Sequence, residues 1–389
     1  GYNPKGESVV ATRFSPDFSG SPYYADQQNV DFEPWNASLP PLKDVVVGGG
    51  VVETFAFLST LRPKTPFRRG GFVKAELEDQ GILSLQEAMG ISSSNLGILG
   101  VVAPDFLKEA IIDPLARQTG IDFTDDFDED PYLFSPRRKY WPVAGYGKAA
   151  NGDIEEKDYY VGDGASMESS SLLEGIRSGA KCAVVLINNL YPIEPVSTVD
   201  FCNAPPANPL ALLATPLGAR PGGPSIYDYF GVTLPTGAIL QVGYEYSNNH
   251  VFPTLDLYSL MCEAQTLRAA GNATVVYRKL TTVKNKHWGI EAGRKIRVVF
   301  VWTEKTSKWE EQLPQETQDA INNGSFDSFN RSFGLGFPYV RTISPKPDAS
   351  DFTALLPEQA NLYASLTEWS LRQNQDKLEK CMGVASLVK

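Results

Sequence analysis

Residues 157–189 read KDYYVGDGASMESSSLLEGIRSGAKCAVVLINN. An apolar strand runs into Asp163, which is held between Gly162 and Gly164. A helical stretch then carries Met167, Leu172, Leu173 and Ile176 on one side and stops at Gly179. The next run, AKCAVVLIN, is continuously apolar, as expected of a strand buried on both faces. A strand, helix and strand in this order predict a right-handed parallel crossover. Ligands of such sheets bind at the carboxyl ends of the strands, where Asp163 falls. A lone Asp-Gly is also an ordinary turn former, so Asp163 is either a turn residue or catalytic machinery.

Outward from this unit the pattern stays mixed. GAILQVGYEY (237–246), ATVVYRKLTTV (273–283) and RKIRVVFVWTE (294–304) alternate like strands, and TLDLYSLMCEAQTLRAAG between the first two is helical. Helical periods also run through 84–100, 103–120 and 356–382. The expected fold class is α/β, with a mixed, largely parallel central sheet and helices on both faces. Residues 1–45 read as an extended N-terminal segment laid over the surface. Residues 46–389 read as a single α/β domain, with loop excursions near 121–156 and 191–235.

Several tempting signals have simpler readings. Gly48-Gly49-Gly50 lies in DVVVGGGVVETFAFL (44–58) without the Lys-Ser/Thr and helix of a phosphate loop, so it marks a break between two β-branched runs. The acidic cluster Asp125, Asp126, Asp128, Glu129 and Asp130 lacks the Gly and terminal Glu spacing of a calcium loop and reads as a solvated loop. The aromatics Tyr132, Tyr140, Trp141 and Tyr146 suggest a carbohydrate surface, but in an aromatic-rich chain they read first as packing residues. No metal site and no cofactor is expected.

The chain has 389 residues and a formal net charge of −11. With no long basic run, nucleic acid is an unfavourable partner. No apolar stretch is long enough for a transmembrane helix. The four cysteines, Cys182, Cys202, Cys262 and Cys381, form no C-x-x-C pair and allow two disulfides in any of three connectivities. Four sequons, at Asn36, Asn272, Asn323 and Asn330, are candidate glycosylation sites. Together with a first residue that is Gly rather than Met, these features give the expectation of a processed, secreted or lumenal protein, vacuolar, lysosomal or extracellular.

The 157–189 stretch resembles the Asp motif of the patatin-like and cytosolic phospholipase superfamily, which includes fungal phospholipase B. GGVVETFAFLS (49–59), LQEAMGISSSNLG (85–97) and LGFPYVRTI (335–343) are similar to further blocks of that superfamily, in the same order. The resemblance covers the portion following the family's nucleophile elbow. It implies a lipid acyl hydrolase with a Ser-Asp dyad: a serine attacks the ester carbonyl, the Asp accepts its proton, and Gly-rich backbone N–H groups hold the oxyanion. On that reading Asp163 is the general base, and Gly90, Ile91, Ser92, Ser93 and Gly164 bind substrate, a phospholipid or lysophospholipid. A dyad needs no histidine, which suits a chain with only His250 and His287. Ala165 and the ASMESSS that follows Asp163-Gly164 depart from the family pattern.

The nucleophile is the weak point of the match. Ser19, in FSPDFSGSPYY (14–24), is the nearest candidate, but Asp17 stands where the elbow has Gly and Pro22 falls in the following helix turn. The stretch reads better as linker. The serine is therefore expected on a missing or separate segment, such as an N-terminal companion chain released by processing. The alternative is a catalytically inactive, phospholipase-like glycoprotein with a structural or lipid-binding role.

Overall fold

In the computed structural model the described residues are 12–21, 29–32, 42–46, 50–54, 84–92, 137–140, 157–160, 168, 170–188, 192–193, 195–203, 226–232, 249–285, 288–326, 336–339 and 357–384. Their centre is a three-stranded sheet of β7 (Cys182–Ile187), β9 (Lys295–Trp302) and β8 (Val275–Thr281), with β9 in the middle. β7 runs parallel to β9, with Cys182 opposite Arg297 and Ile187 opposite Trp302. β8 runs antiparallel to β9, with Val275 opposite Val301. The protein is thus mixed α/β, with a small mixed sheet and helices.

Strand alternation divides β9 between two cores. Ile296, Val298, Phe300 and Trp302 enter a large cluster with Val185 and Val276. This face is covered by α3 (Thr254–Ala269), whose Leu257, Leu260, Met261 and Ala264 recur at helical spacing, and by Leu172, Leu173 and Ile176 of α2 (Leu172–Arg177). Val299 and Val301 point the other way, into a smaller cluster with Ala273, Val275 and Cys381. That second face is covered by α6 (Pro357–Gln373) and α7 (Gln375–Met382). Glu263 of α3 ties the two layers together beyond β8, meeting Arg278 at 2.5 Å and Lys377 of α7 at 3.5 Å. Lys377 also donates to the Val275 carbonyl at 2.6 Å.

The chain leaves α3 through Gly271, at φ +65°, where an added Cβ would meet Ser307 Oγ at 2.1 Å. Only glycine satisfies both the backbone and the space there. Beyond β9 lie α4 (Ser307–Glu310) and α5 (Gln315–Asn322), whose Trp309 and Ile321 pack with Phe337, Leu362 and Leu366. Those contacts hold up the first half of α6. The long C-terminal helical pattern is broken at Asn374, at φ −126°, where the side-chain amide donates to the Ser370 carbonyl.

The cysteines pair as Cys182–Cys381 and Cys202–Cys262. The first fastens α7 to the start of β7 across 199 residues, and the second closes a separation of 60. In the chain-entropy account, loops of that size are worth about 4–5 kcal/mol each. Among the described residues no helix is long and apolar enough to cross a membrane. Both facts are compatible with a secreted or lumenal protein.

Three expectations change. β6 (Lys157–Tyr160), the strand leading to Asp163, pairs antiparallel with β5 (Arg137–Tyr140); the described sheet does not place it beside β7 in a parallel crossover. β7 is not buried on both faces: Val184 is 45 % and Leu186 59 % exposed, because α7 covers the second face only at the Cys182 end. The N-terminal stretch is also more than surface linker. β1 (Phe18–Ser21) pairs with β4 (Gly50–Glu53), and β2 (Asn29–Phe32) with β3 (Leu42–Val46). The break at Gly48-Gly49-Gly50 thus separates strands with different partners. The strand expected at 237–246 and the helix at 103–120 lie outside the described residues.

Candidate functional sites

Asp163, Gly164, Ser93, Asn36 and Asn330 lie outside the described residues. Gly90, Ile91 and Ser92 end the helix α1 (Leu85–Ser92), which Ser84 opens by accepting the Glu87 N–H at 3.0 Å. Asn272 follows the Gly271 turn and accepts from Lys308 Nζ at 2.7 Å, while Thr274 of its sequon is buried. Asn323 is exposed at the end of α5, just before the Gly324 turn.

Ser19 is fully buried, at 0 % exposure, and its Oγ lies 2.9 Å from Thr54 Oγ1. Thr54 gives its own proton to the Ser15 carbonyl, so Ser19 is the donor in that pair. Its described partner is a hydroxyl, which cannot take a proton as a general base does. Antiparallel pairing with Val52 is what carries Ser19 into this position, a long-range contact with no local signal.

Glu168, just before α2, is a buried anchor. Glu168 Oε1 accepts from the Ser170 N–H at 2.8 Å, from Ser170 Oγ at 2.6 Å and from the Tyr229 hydroxyl. Tyr229 comes from a 3₁₀ turn (Ile226–Phe230) packed into the large core. Burial, then the Glu168 charge, pushes its phenol well above its ordinary range, so it stays a donor. Ser170 Oγ in turn accepts the Leu172 N–H at 3.2 Å, and Ser171, at φ 58°, turns the chain into α2. A carboxylate five residues after Asp163 is thereby fixed to the core immediately before a helix.

A second buried carboxylate closes the carboxyl end of β9. Glu304 accepts from the Ile193 N–H at 2.7 Å and from the Tyr339 hydroxyl, with Arg268 Nε 3.6 Å away. Burial raises the Glu304 pKa despite these partners. Arg268 also donates to the Ile193 carbonyl at 2.8 Å. With both carboxylate oxygens engaged, Glu304 ties the end of β9 to Ile193, Arg268 and Tyr339.

An apolar opening lies on the second face of the sheet. A cleft of about 850 Å³ runs between α6 and the carboxyl ends of β7 and β9. Leu186 and Ile187 of β7, Val301 and Trp302 of β9, and Ala360, Tyr363, Ala364 and Leu366 of α6 line it. Polar groups stand at the rim: Asn188 with Thr303, and Glu368 with Arg372. The cleft exists because α6 is propped up by the Trp309–Phe337–Leu362 cluster and breaks at Asn374 before reaching the disulfide. The sequence offered one hint, Ala360 and Ala364 at i, i+4 spacing on a helix otherwise rich in long side chains. Among the described residues no group of His, Cys, Asp or Glu is arranged to hold a metal ion.

Compared with protein-family models, with curated proteins and with solved structures, the chain matches none.

Proposed function

We propose that this protein is a lipid acyl hydrolase of the phospholipase B or lysophospholipase type, in which Asp163 is the general base of a Ser-Asp dyad. The observation that carries the reading is the Glu168 anchor. Catalytic groups need support that fixes them to a fraction of an ångström, and Glu168, five positions after Asp163 in the sequence, is held by three donors against the core. The nucleophilic serine belongs to a residue outside those described or to a separate chain. It attacks the ester carbonyl as Asp163 takes its proton, the alcohol departs with that proton, and water releases the fatty acid. Backbone N–H groups of a Gly-rich loop hold the oxyanion.

Asp163→Asn tests the assignment. Turnover of a lysophospholipid is expected to fall by about 10²–10⁴-fold, the usual contribution of a general base, with an unchanged melting temperature. Normal turnover by the variant ends the assignment. A fluorescent fluorophosphonate locates the serine on whichever chain carries it.

The second reading, a non-catalytic relative that binds lipid, is favoured by Ser19. The one serine put forward as nucleophile that lies among the described residues donates to a hydroxyl in a buried strand pair and not to a base. Absence of fluorophosphonate label on folded native protein would select this reading.

A further inference from the structure

We propose that the start of β9, with the strands on either side of it, forms a binding strip for a linear sulfated glycan, at the end of the sheet opposite the apolar cleft. Residues 278–297 hold seven Lys or Arg, at 278, 279, 284, 286, 294, 295 and 297, against the single acid Glu291, in a chain whose formal net charge is −11. The strip makes no use of Asp163, and binding there is independent of ester hydrolysis.

Strand alternation gathers the charge. Ile296 and Val298 enter the first-face core, so Lys295 and Arg297 project from the second face. On the neighbouring strand Lys279 stands directly opposite Arg297, and Thr281 opposite Lys295. On the other side Cys182 faces Arg297, and the exposed Lys181 just before it accepts the Arg297 N–H at its carbonyl, 3.1 Å away. Lys279, Arg297 and Lys181 thus succeed one another across three strands about 5 Å apart, with Lys295 about 7 Å along β9. The Arg297 guanidinium is aimed from beneath α7, donating to the Lys181 and Lys380 carbonyls at 3.4 and 3.5 Å. Gly383 leaves it room, since a Cβ there would lie 3.0 Å from Nη1. The Cys182–Cys381 disulfide clamps β7 and α7 around it.

Among the described residues Lys181, Lys279, Lys295 and Arg297 form no ion pair. Like charges directly opposite each other weaken a sheet, so the Lys279 and Arg297 pair works against the fold. Exposed cations in water hold one small anion weakly. The ligand that suits them carries many fixed charges along its length and gains by releasing its counterions. The positive surface is also a strip and not a plane. Asp376, which holds Lys380 at 2.8 Å, and Glu379 border it on α7, and Glu291 borders it in the turn before β9. A flat anionic bilayer would press against those carboxylates, whereas a single chain lies between them. Single-stranded nucleic acid needs aromatic platforms for its bases, and the strip offers lysine, arginine and Thr281. Sulfated glycans belong to the secreted or lumenal side of the membrane, with which the two disulfides are compatible.

The test is an equilibrium titration of the full chain with a fluorescein-labelled heparin oligosaccharide at increasing salt. Saturable binding is expected, weakening steeply with salt and about tenfold weaker for the same oligosaccharide stripped of its sulfates. Lys279→Glu and Lys295→Glu are each expected to weaken binding about threefold, and together about tenfold or more. Lys305→Glu, the same change of charge at an exposed residue beyond the other end of β9, leaves affinity within about twofold. Lys279→Gln separates recognition from folding: relief of the facing Arg297 charge raises the melting temperature slightly, while affinity falls. Absence of saturable binding, an equal loss in Lys305→Glu, or equal affinity for the desulfated chain overturns the proposal. So does tighter binding to phosphatidylserine vesicles, or to a single-stranded oligonucleotide, than to heparin. Asp163→Asn, the variant that tests ester hydrolysis, is expected to bind heparin as the wild type does, so the two readings stand or fall separately.

Discussion

The two faces of the central sheet are built from the same strands and end in opposite conditions. On the first face, Phe300, Val298 and Ile296 meet α2 and α3 in a cluster with essentially no exposed side chain. On the second, Val299 and Val301 are sealed at one end by Cys381, and the other end opens into a cleft beside Leu186. Alternation along a strand assigns residues to faces but does not say whether a face will be closed. Closure depends on what the helix above can reach, and α6 is held off by its own packing on Trp309 and Phe337. One face therefore supplies stability, and the other supplies space.

The sharpest way to break this contrast is Phe300→Ala. The ring is fully buried in the first face and packs beside Trp302, with ring centroids 5.9 Å apart. Its removal leaves a cavity that the surrounding helices cannot collapse into, at a cost of about 3–5 kcal/mol. Urea denaturation is expected to show a lower midpoint with an unchanged slope. A loss below about 1 kcal/mol would mean that the first face is not the stabilising one.

A smaller effect comes from the carboxylates that close the end of the sheet. Burial raises the Glu304 pKa above 4.5, its ordinary value, and burial raises Glu310 in the same direction. A carboxyl group whose folded value is raised binds its proton more readily in the native state than in the unfolded chain. Its contribution is complete below about pH 4.5 and is lost as pH rises through the raised folded value. Stability is therefore expected to increase from pH 7 towards pH 4.5, and Glu304→Gln should flatten that slope. Asp200 and Asp376 are shifted down, Asp200 chiefly by Asn203 and Asp376 chiefly by Lys380, but they act only below their ordinary value of 3.8 and are exposed. Stability that falls between pH 7 and pH 5 would contradict the burial of Glu304.

Much of the scaffold was legible because it depends on local pattern. The β-branched runs of β8 and β9, the apolar stripe of α3 and the long C-terminal helical period are properties of neighbouring residues. Pairings between distant segments were not legible. The partner of β6 is β5 rather than β7, Ser19 lies in a strand opposite Val52, and the two disulfides select one of three connectivities. The candidate sites divide in the same way. Asp163 stands out by its glycine neighbours, whereas Glu168 gains its anchor from Tyr229, 61 positions along the chain, and the cleft requires Leu186, Trp302 and Ala364 to converge. No periodicity encodes that convergence.

The smallest effect is the most discriminating about the second face. Leu186→Ala removes a large apolar side chain near the end of β7, and a strand buried on both faces would lose about 2–5 kcal/mol. At its observed exposure of 59 %, Leu186 has little to lose, and the change is expected to stay within about 0.5 kcal/mol. Val185→Ala, one residue away and facing the buried cluster, should cost several times more. The pair of variants reads the two faces from a single strand, by the same denaturation curve. If both destabilise alike, Leu186 is covered in solution and the cleft is closed. If only Val185→Ala does, the second face of β7 stands open to water at Leu186, as its exposure indicates.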